Sequence, residues 1–144
     1  MAGDEMELAL AIRELVRRVD VYRGERAAAI GGVAVTDIVA LGHLFVDGPQ
    51  SPTELSGRLR VTTASVTELV DRLEHRGWIS RAPHPHDRRR ILVSLTDTGR
   101  TLITEAYRDL GARLAPAFTG LSRTEQLAVM SFLRLAAQAL NGSY

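Results

Sequence analysis

Apolar residues recur at helical spacing over most of this chain, and the breaks between the stretches are sharp. Leu8, Ile12, Leu15, Val19 and Tyr22 fall three or four apart, with Arg and Glu between them, so roughly residues 5–28 read as a long helix. Gly31-Gly32 ends it. A second helix is expected from about residue 34 or 36 to Val46, where Asp47-Gly48-Pro49 stops it. Ser51-Pro52-Thr53-Glu54 is a capping box: Ser at the N-cap, Pro at the first helical position, Glu at the third. It opens a short helix to about Arg60, with Leu55 and Leu59 inward. Val61-Thr62-Thr63 form a turn into the next helix, about 63–76. Val66, Leu69, Val70 and Leu73 make its buried stripe, and Gly77 is its stop.

The period then changes. Trp78 to Ala82 and Ile91 to Leu95 are strand-like runs. Between them lies a loop stiffened by Pro83 and Pro85, and three consecutive arginines, Arg88 to Arg90, stand at the loop's end. Thr96 caps another long helix, to about Phe118, with Leu102, Ala106, Leu110 and Leu114 four apart. Pro116 and Gly120 mark its frayed end. Ser122-Arg123-Thr124-Glu125 is a second capping box, and Leu127, Met130, Leu133, Ala137 and Leu140 come after it on one face. The fold class this predicts is mainly α with a small β-hairpin wing. A winged helix-turn-helix spans about 34–96, in a single domain of 144 residues.

Composition narrows the chemistry. Aromatics are only 5% of the chain, so the core must be built from Leu, Val, Ile and Ala. Cysteine is absent, which removes disulfides, thiolate metal sites, Cys nucleophiles and thiol redox sensing together. The start carries Asp4, Glu5 and Glu7 and not a basic-then-apolar leader. The longest uncharged apolar stretch, 27–35, is too short to span a bilayer, so a cytoplasmic protein without membrane contact is expected. There is no Ser/His/Asp arrangement, phosphate loop or dinucleotide fingerprint, so neither catalysis nor a cofactor is expected.

Net charge is only +1, but its distribution is uneven. Residues 1–54 hold five Arg against nine acids, residues 55–100 hold nine against five, and residues 101–144 hold four against three. The positive charge gathers in the middle third, as in a nucleic-acid face on a neutral body. Every one of the 18 basic residues is Arg, whose planar fork binds phosphate bidentately.

Two helices joined by a tight turn, with a hairpin after them, suit a duplex. The second helix fits the major groove, and its exposed candidates are Thr63, Ser65, Thr67 and Glu68. Glu68 would accept from a cytosine amino group; alternatively it is a solvated helix residue. Asp87-Arg88-Arg89-Arg90 would reach the neighbouring minor groove. The competing reading of that run, a solvated turn with local salt bridges, is weakened by its place directly after a helix-turn-helix.

Residues 51–96 resemble the MarR family of bacterial winged-helix transcription regulators. The resemblance rests on Pro52-Thr53-Glu54-Leu55, on Ser65 through Glu74, on Arg76-Gly77-Trp78-Ile79-Ser80-Arg81, on Asp87-Arg88-Arg89, and on Leu95-Thr96-Asp97-Thr98-Gly99. The Asp-x-Arg of the wing and the Leu-Thr-x-x-Gly entry into the next helix are its most specific parts. It implies a homodimer, with dimerisation helices at about 5–28 and 97–141. It implies that Asp87 orients the wing, that Arg89 enters the minor groove, and that Arg88 and Arg90 add phosphate contacts. Thr63, Ser65, Thr67 and Arg72 would contribute from the recognition helix. An acid at position 68, often basic or neutral in relatives, would shift base preference. The resemblance further implies a small aromatic or phenolic effector in a cleft, for which Arg13, Tyr22 and His43 are the pocket candidates.

Three functions compete. The leading one is a ligand-responsive repressor binding double-stranded DNA as a homodimer on a pseudo-palindromic site. Another is a winged-helix module that binds protein without sequence-specific DNA binding, which would need no arginine cluster. The third is a metal-dependent enzyme built on His84, His86 and Asp87, with His75 nearby. Against it, ligation would compete with the wing role of Asp87, and no metal is expected.

Overall fold

The computed structural model describes residues 2–141. Among these, six helices and one hairpin take the expected order: α1 (Ala2–Ile30), α2 (Val35–Asp47), α3 (Pro52–Leu59), α4 (Thr63–His75), β1 (Ile79–His84), β2 (Asp87–Leu95), α5 (Asp97–Thr119) and α6 (Arg123–Asn141). The chain divides into two compact units, Met1–Ala106 and Tyr107–Tyr144, with the boundary inside α5.

In the first unit the core is aliphatic, as the scarcity of aromatics requires. Leu41 and Leu44 of α2, Leu55 of α3, Val66, Leu69, Val70 and Leu73 of α4, Ile79 and Val93 of the hairpin, and Ile103 of α5 are all buried. Trp78 closes this core at the hairpin's root. Tyr22 of α1 is also buried, and its hydroxyl donates to the Ala106 carbonyl at 2.5 Å, tying α1 to α5. The expected α5 stripe is buried only in part, and Ile103 joins it. Ile103 and Ala106 are buried, Leu102 is half-buried, and Leu114 is exposed.

Helix ends obey local chemistry. Ser51 Oγ accepts from Glu54 N–H at 3.2 Å and Glu54 Oε2 accepts from Ser51 N–H at 2.8 Å, the reciprocal box expected for α3. The Ser51 N–H bond is the main reason the Glu54 carboxyl is held below the ordinary carboxylate range. Thr62 caps α4 by accepting from Ser65 N–H. Arg60, which closes α3, takes the left-handed conformation at φ 53° without being glycine. Helix α5 runs on through Pro116 and ends at Thr119, within one residue of the expected end.

One long-range ion pair crosses the helix-turn-helix. Asp37, in the first turn of α2, is fully buried. Its carboxylate accepts from Ala34 N–H and takes a bidentate pair of bonds from Arg72 of α4, at 2.9 and 2.6 Å. Arg76, one turn further along, donates to the Gly31 carbonyl at 2.7 Å. Both arginines therefore join the recognition-type helix to the break between α1 and α2. Among the described residues no single helix is long and apolar enough to cross a membrane; α1 and α2 reach that length only as a pair bent by 103°.

The second unit contains the end of α5 and all of α6. No residue of α6 is buried, and Leu127, Met130, Leu133, Leu135 and Leu140 are all exposed.

The hairpin's exit is fixed by a close backbone approach. Thr96 N–H donates to Trp78 O, Thr96 Oγ1 donates to Gly77 O, and Gly99 N–H donates to Thr96 Oγ1. A Cβ on Gly99 would lie 2.0 Å from Trp78 O. That neighbour is backbone and has nowhere to go. Gly99→Ala is expected to destabilise the protein by about 3 kcal/mol or more, the upper range for overpacking, read as a lower urea midpoint. A midpoint within error of wild type would mean the joint is slack.

Arg72→Ala strands a buried carboxylate, whereas Asp37→Ala leaves a guanidinium that can turn to water, since the Arg72 side chain is 39% exposed. The first should cost about 3 kcal/mol and clearly more than the second. Equal losses in denaturant titrations would show that burial of Asp37 carries no penalty.

Candidate nucleic-acid interface

The hairpin is longer than its apolar residues suggested. Its ladder runs from Ile79↔Leu95 to Pro83↔Ile91 and closes at His84↔Asp87, so the turn is only Pro85 and His86. The expected proline-stiffened loop is thus mostly strand. Pro83 is tolerated because both strands of a two-stranded sheet are edges, and an edge position need not donate to a ladder. The arginines also move. Between the Pro83 and His84 pairings, three residues of β2 have no partner on β1, and they are Arg88, Arg89 and Arg90. They form a bulge on the flank of the wing instead of sitting at its end. A bulge bends a strand and re-aims its side chains. Asp87 Oδ1 accepts from Arg89 N–H at 3.1 Å and so braces the start of this bulge.

Beyond its root the wing is exposed on both faces. Ile79 and Val93 are buried, while Ser80 to Pro83 and Asp87 to Ile91 are all exposed. An isolated two-stranded hairpin is marginal in water, so this one needs an anchor. Arg81 provides it. Its guanidinium binds Asp71 at 2.6 Å and also Glu74, both on α4, and these two carboxylates push its proton affinity up further. Arg90 approaches Glu54 of α3 at 3.8 Å. Arg88 and Arg89 have no ion-pair partner among the described residues.

On α4 the expected face is outward: Thr63, Ser65, Thr67 and Glu68 are all exposed. Their hydroxyls are not equivalent. Thr67 donates to Thr63 O at 2.9 Å, which leaves it only lone pairs to offer. Ser65 Oγ receives a bond from Thr62 Oγ1, so its own proton remains for a partner. Arg72 departs from expectation, because its guanidinium is turned inward onto Asp37 by the non-local ion pair described above. With Arg72 spent inside and Arg81 spent on α4, the free cations of this face belong to the wing.

The pocket candidates separate. Tyr22 is a core residue whose hydroxyl is engaged by Ala106. His43 is half-buried, with Nδ1 3.7 Å from Asp47, which in turn pairs with Arg58 at 3.0 Å. Arg13 is exposed on α1. His84 and His86 do meet, with ring centroids 5.9 Å apart, but no group of three potential metal ligands comes together among the described residues.

Sequence reasoning missed Asp37 and Arg81. An acid in the first turn of a helix reads as a cap, and nothing local marks a partner 35 residues away. Arg81 lies inside a recognised motif, yet only the strand's pairing shows that it faces α4.

Comparison with known proteins agrees with this geometry. The model of the MarR family matches residues 34–91. An uncharacterized HTH-type transcriptional regulator of Bacillus subtilis, YkoM, is 33% identical over 105 residues, covering 73% of this chain and 68% of that one. The multiple antibiotic resistance protein MarR of Salmonella typhimurium is 30% identical over 101 residues, 70% of each chain. Among solved structures, that of the multiple antibiotic resistance repressor MarR superposes with a TM-score of 0.70 at 25% identity, covering 90% of this chain and 94% of that one. With its helix-turn-helix, its arginine-bearing hairpin and these relatives, the chain belongs to the MarR family of winged-helix transcription regulators.

Proposed function

We propose that the protein is a ligand-responsive repressor that binds a pseudo-palindromic operator as a homodimer in the cytoplasm. The observation that carries this reading is the wing. A hairpin exposed on both faces, pinned by Arg81 and presenting the unpaired cations Arg88 and Arg89, is poorly suited to anything but a polyanion. In the proposed complex α4 lies in the major groove, offering Thr63, Ser65, Thr67 and Glu68. Arg89 enters the adjacent minor groove, where a narrow A·T-rich segment concentrates negative potential. Arg88 and Arg90 hold phosphates, with Arg90 exchanging its long contact to Glu54 for DNA.

The dimer is supported by apolar surface that the single chain leaves open. On α1, Met6, Leu8, Leu10, Leu15, Val16 and Val21 are exposed, and α6 exposes its apolar stripe as well. Patches of this extent on a monomer mark contact sites. A twofold pair would set two recognition helices about 34 Å apart, one turn of duplex. A small aromatic or phenolic effector would act by preferring a dimer geometry whose helix spacing no longer matches, since only differential affinity shifts such an equilibrium. His43 and Arg13 remain the side chains we would test for it. A role as a protein-binding module would leave the arginine bulge without purpose.

Arg89→Ala is expected to weaken binding to a selected operator by about 1–3 kcal/mol. Arg88→Ala should weaken all duplexes alike and lower the salt slope by about one. Gel-shift titrations at several salt concentrations read both. A flat salt response in the wild type would remove DNA as the partner. Light scattering should return twice the 15.7 kDa chain mass, and a monomer would overturn the half-site geometry.

A further inference from the structure

Arg72 is turned away from the face that its place on α4 would give it. It follows Ser65 by seven residues and Glu68 by four, so the three Cα atoms stand on one flank of the helix. About 6 Å of helix separates residues 68 and 72. An arginine four residues after a glutamate is the favourable order for an ion pair. That pair is not made. The guanidinium binds Asp37 instead, at 2.9 and 2.6 Å, and Glu68 makes no hydrogen bond or ion pair among the described residues.

Burial decides this competition. Asp37 is fully buried, and its Oδ2 also accepts from Ala34 N–H. Without Arg72 the carboxylate would keep one backbone partner and no counter-charge, which is far costlier than leaving an exposed glutamate to water. The proton affinity of Arg72 follows the same ranking. It is raised chiefly by the Asp37 hydrogen bonds, and Glu68, acting at longer range, contributes least. Arg76, one turn on, does not stand in for Arg72. It is held on the Gly31 carbonyl at 2.7 Å and lies over the Trp78 ring, 4.9 Å from its centroid. Glu68 therefore reaches the outward face uncompensated. The Arg72 side chain, still 39% exposed, is a cation beside that face but committed elsewhere.

A bare carboxylate on a groove-facing helix repels phosphates and loses its water on docking. A donor on a base edge restores what it loses, and the cytosine N4 amino group is the one a carboxylate meets best. A free arginine beside it would undo both effects. It would neutralise the acid and add a phosphate contact that carries no sequence information. Resting on the reading that α4 lies in the major groove, we propose that Asp37 is a positioning residue for operator selection: by holding Arg72 inside, it keeps Glu68 a bare acid that favours cytosine and penalises other bases. Selection then rests on a penalty as well as a contact, and it is set from the buried first turn of α2.

The test uses the full-length protein, the short duplex that the wild type selects from a random pool, and a scrambled duplex of the same length. Anisotropy titrations at several salt concentrations compare the two. Asp37→Asn keeps an acceptor for Ala34 N–H but loses the charge that holds Arg72. It should bind the scrambled duplex more tightly, with a salt slope steeper by about 0.9 for each arginine that reaches a phosphate. The ratio of selected to scrambled affinity should fall about tenfold, the scale of one base preference. Adding Arg72→Gln to Asp37→Asn should return the slope to that of the wild type. Loss of a merely structural bond would weaken both duplexes by one factor at an unchanged slope, and that result overturns the inference. Two readouts need no change at position 37. Glu68→Gln should move the selected base from cytosine toward adenine, which glutamine reads, and an unchanged selection sinks the proposal. In the wild type the Arg72 Nε–H resonance should hold its position when the selected duplex is added. A shift there would show the guanidinium leaving Asp37 for DNA, against the proposal. No binding to either duplex removes the proposed function as well. Selective wild-type binding that Asp37→Asn leaves unaltered removes the positioning role alone.

Discussion

The joint at Trp78 governs the geometry of everything outside it. Trp78 N–H closes α4 on Leu73 O, and Trp78 O accepts from Thr96 N–H where the second strand leaves the hairpin's root. Gly99 packs its bare Cα face on that same carbonyl. One residue thus sets where the recognition-type helix stops, where the wing begins and where α5 departs. A wing exposed on both faces has no core of its own to hold its angle. The angle comes from these backbone bonds at its root and from the Arg81 pair with Asp71 and Glu74 further out. Backbone contacts suit this role because they have no rotamers to lose.

Electrostatics divides the arginines into two groups. Arg72, Arg76 and Arg81 are structural: each satisfies an acceptor elsewhere in the fold, whether the buried Asp37, the Gly31 carbonyl or the acids of α4. These contacts make α4 a strut between the α1–α2 break and the wing. They also strip α4 of free positive charge, leaving hydroxyls and Glu68 on its outward face. Attraction to a polyanion is consequently concentrated in the bulge. In the proposed complex, wing and helix would have separate tasks: long-range attraction for the wing and hydrogen-bond selectivity for the helix. An acid on the selecting element would sharpen that division in the proposed complex, because it would penalise contact with phosphate and reward only a donor on a base edge.

Much of this is open to reading from the chain. Helix order, both capping boxes and the stop at Gly77 are local matters, governed by periodicity and caps, whereas the need for glycine at 99 comes from the distant Trp78 carbonyl. The outward residues 63, 65, 67 and 68 come from the same period, since the buried stripe of Val66, Leu69, Val70 and Leu73 leaves them no other face. The prolines mislead, because the rule that excludes them from central strands does not hold for a hairpin with two edges. Tyr22 and Arg72 mislead for a different reason. An amphipathic residue on a helix is equally compatible with a cleft, a core or a groove until its neighbours are known.

Short-range order in this protein is therefore written in spacing: which segments coil, where they end and which face is greasy. Long-range pairing is not, because a hydrogen bond between residues 22 and 106, or an ion pair between 37 and 72, has no signature in the intervening residues. Only the folded chain decides which arginines are consumed holding the scaffold and which are left to meet another molecule. The reason is that a guanidinium goes to whatever carboxylate the packing brings within reach.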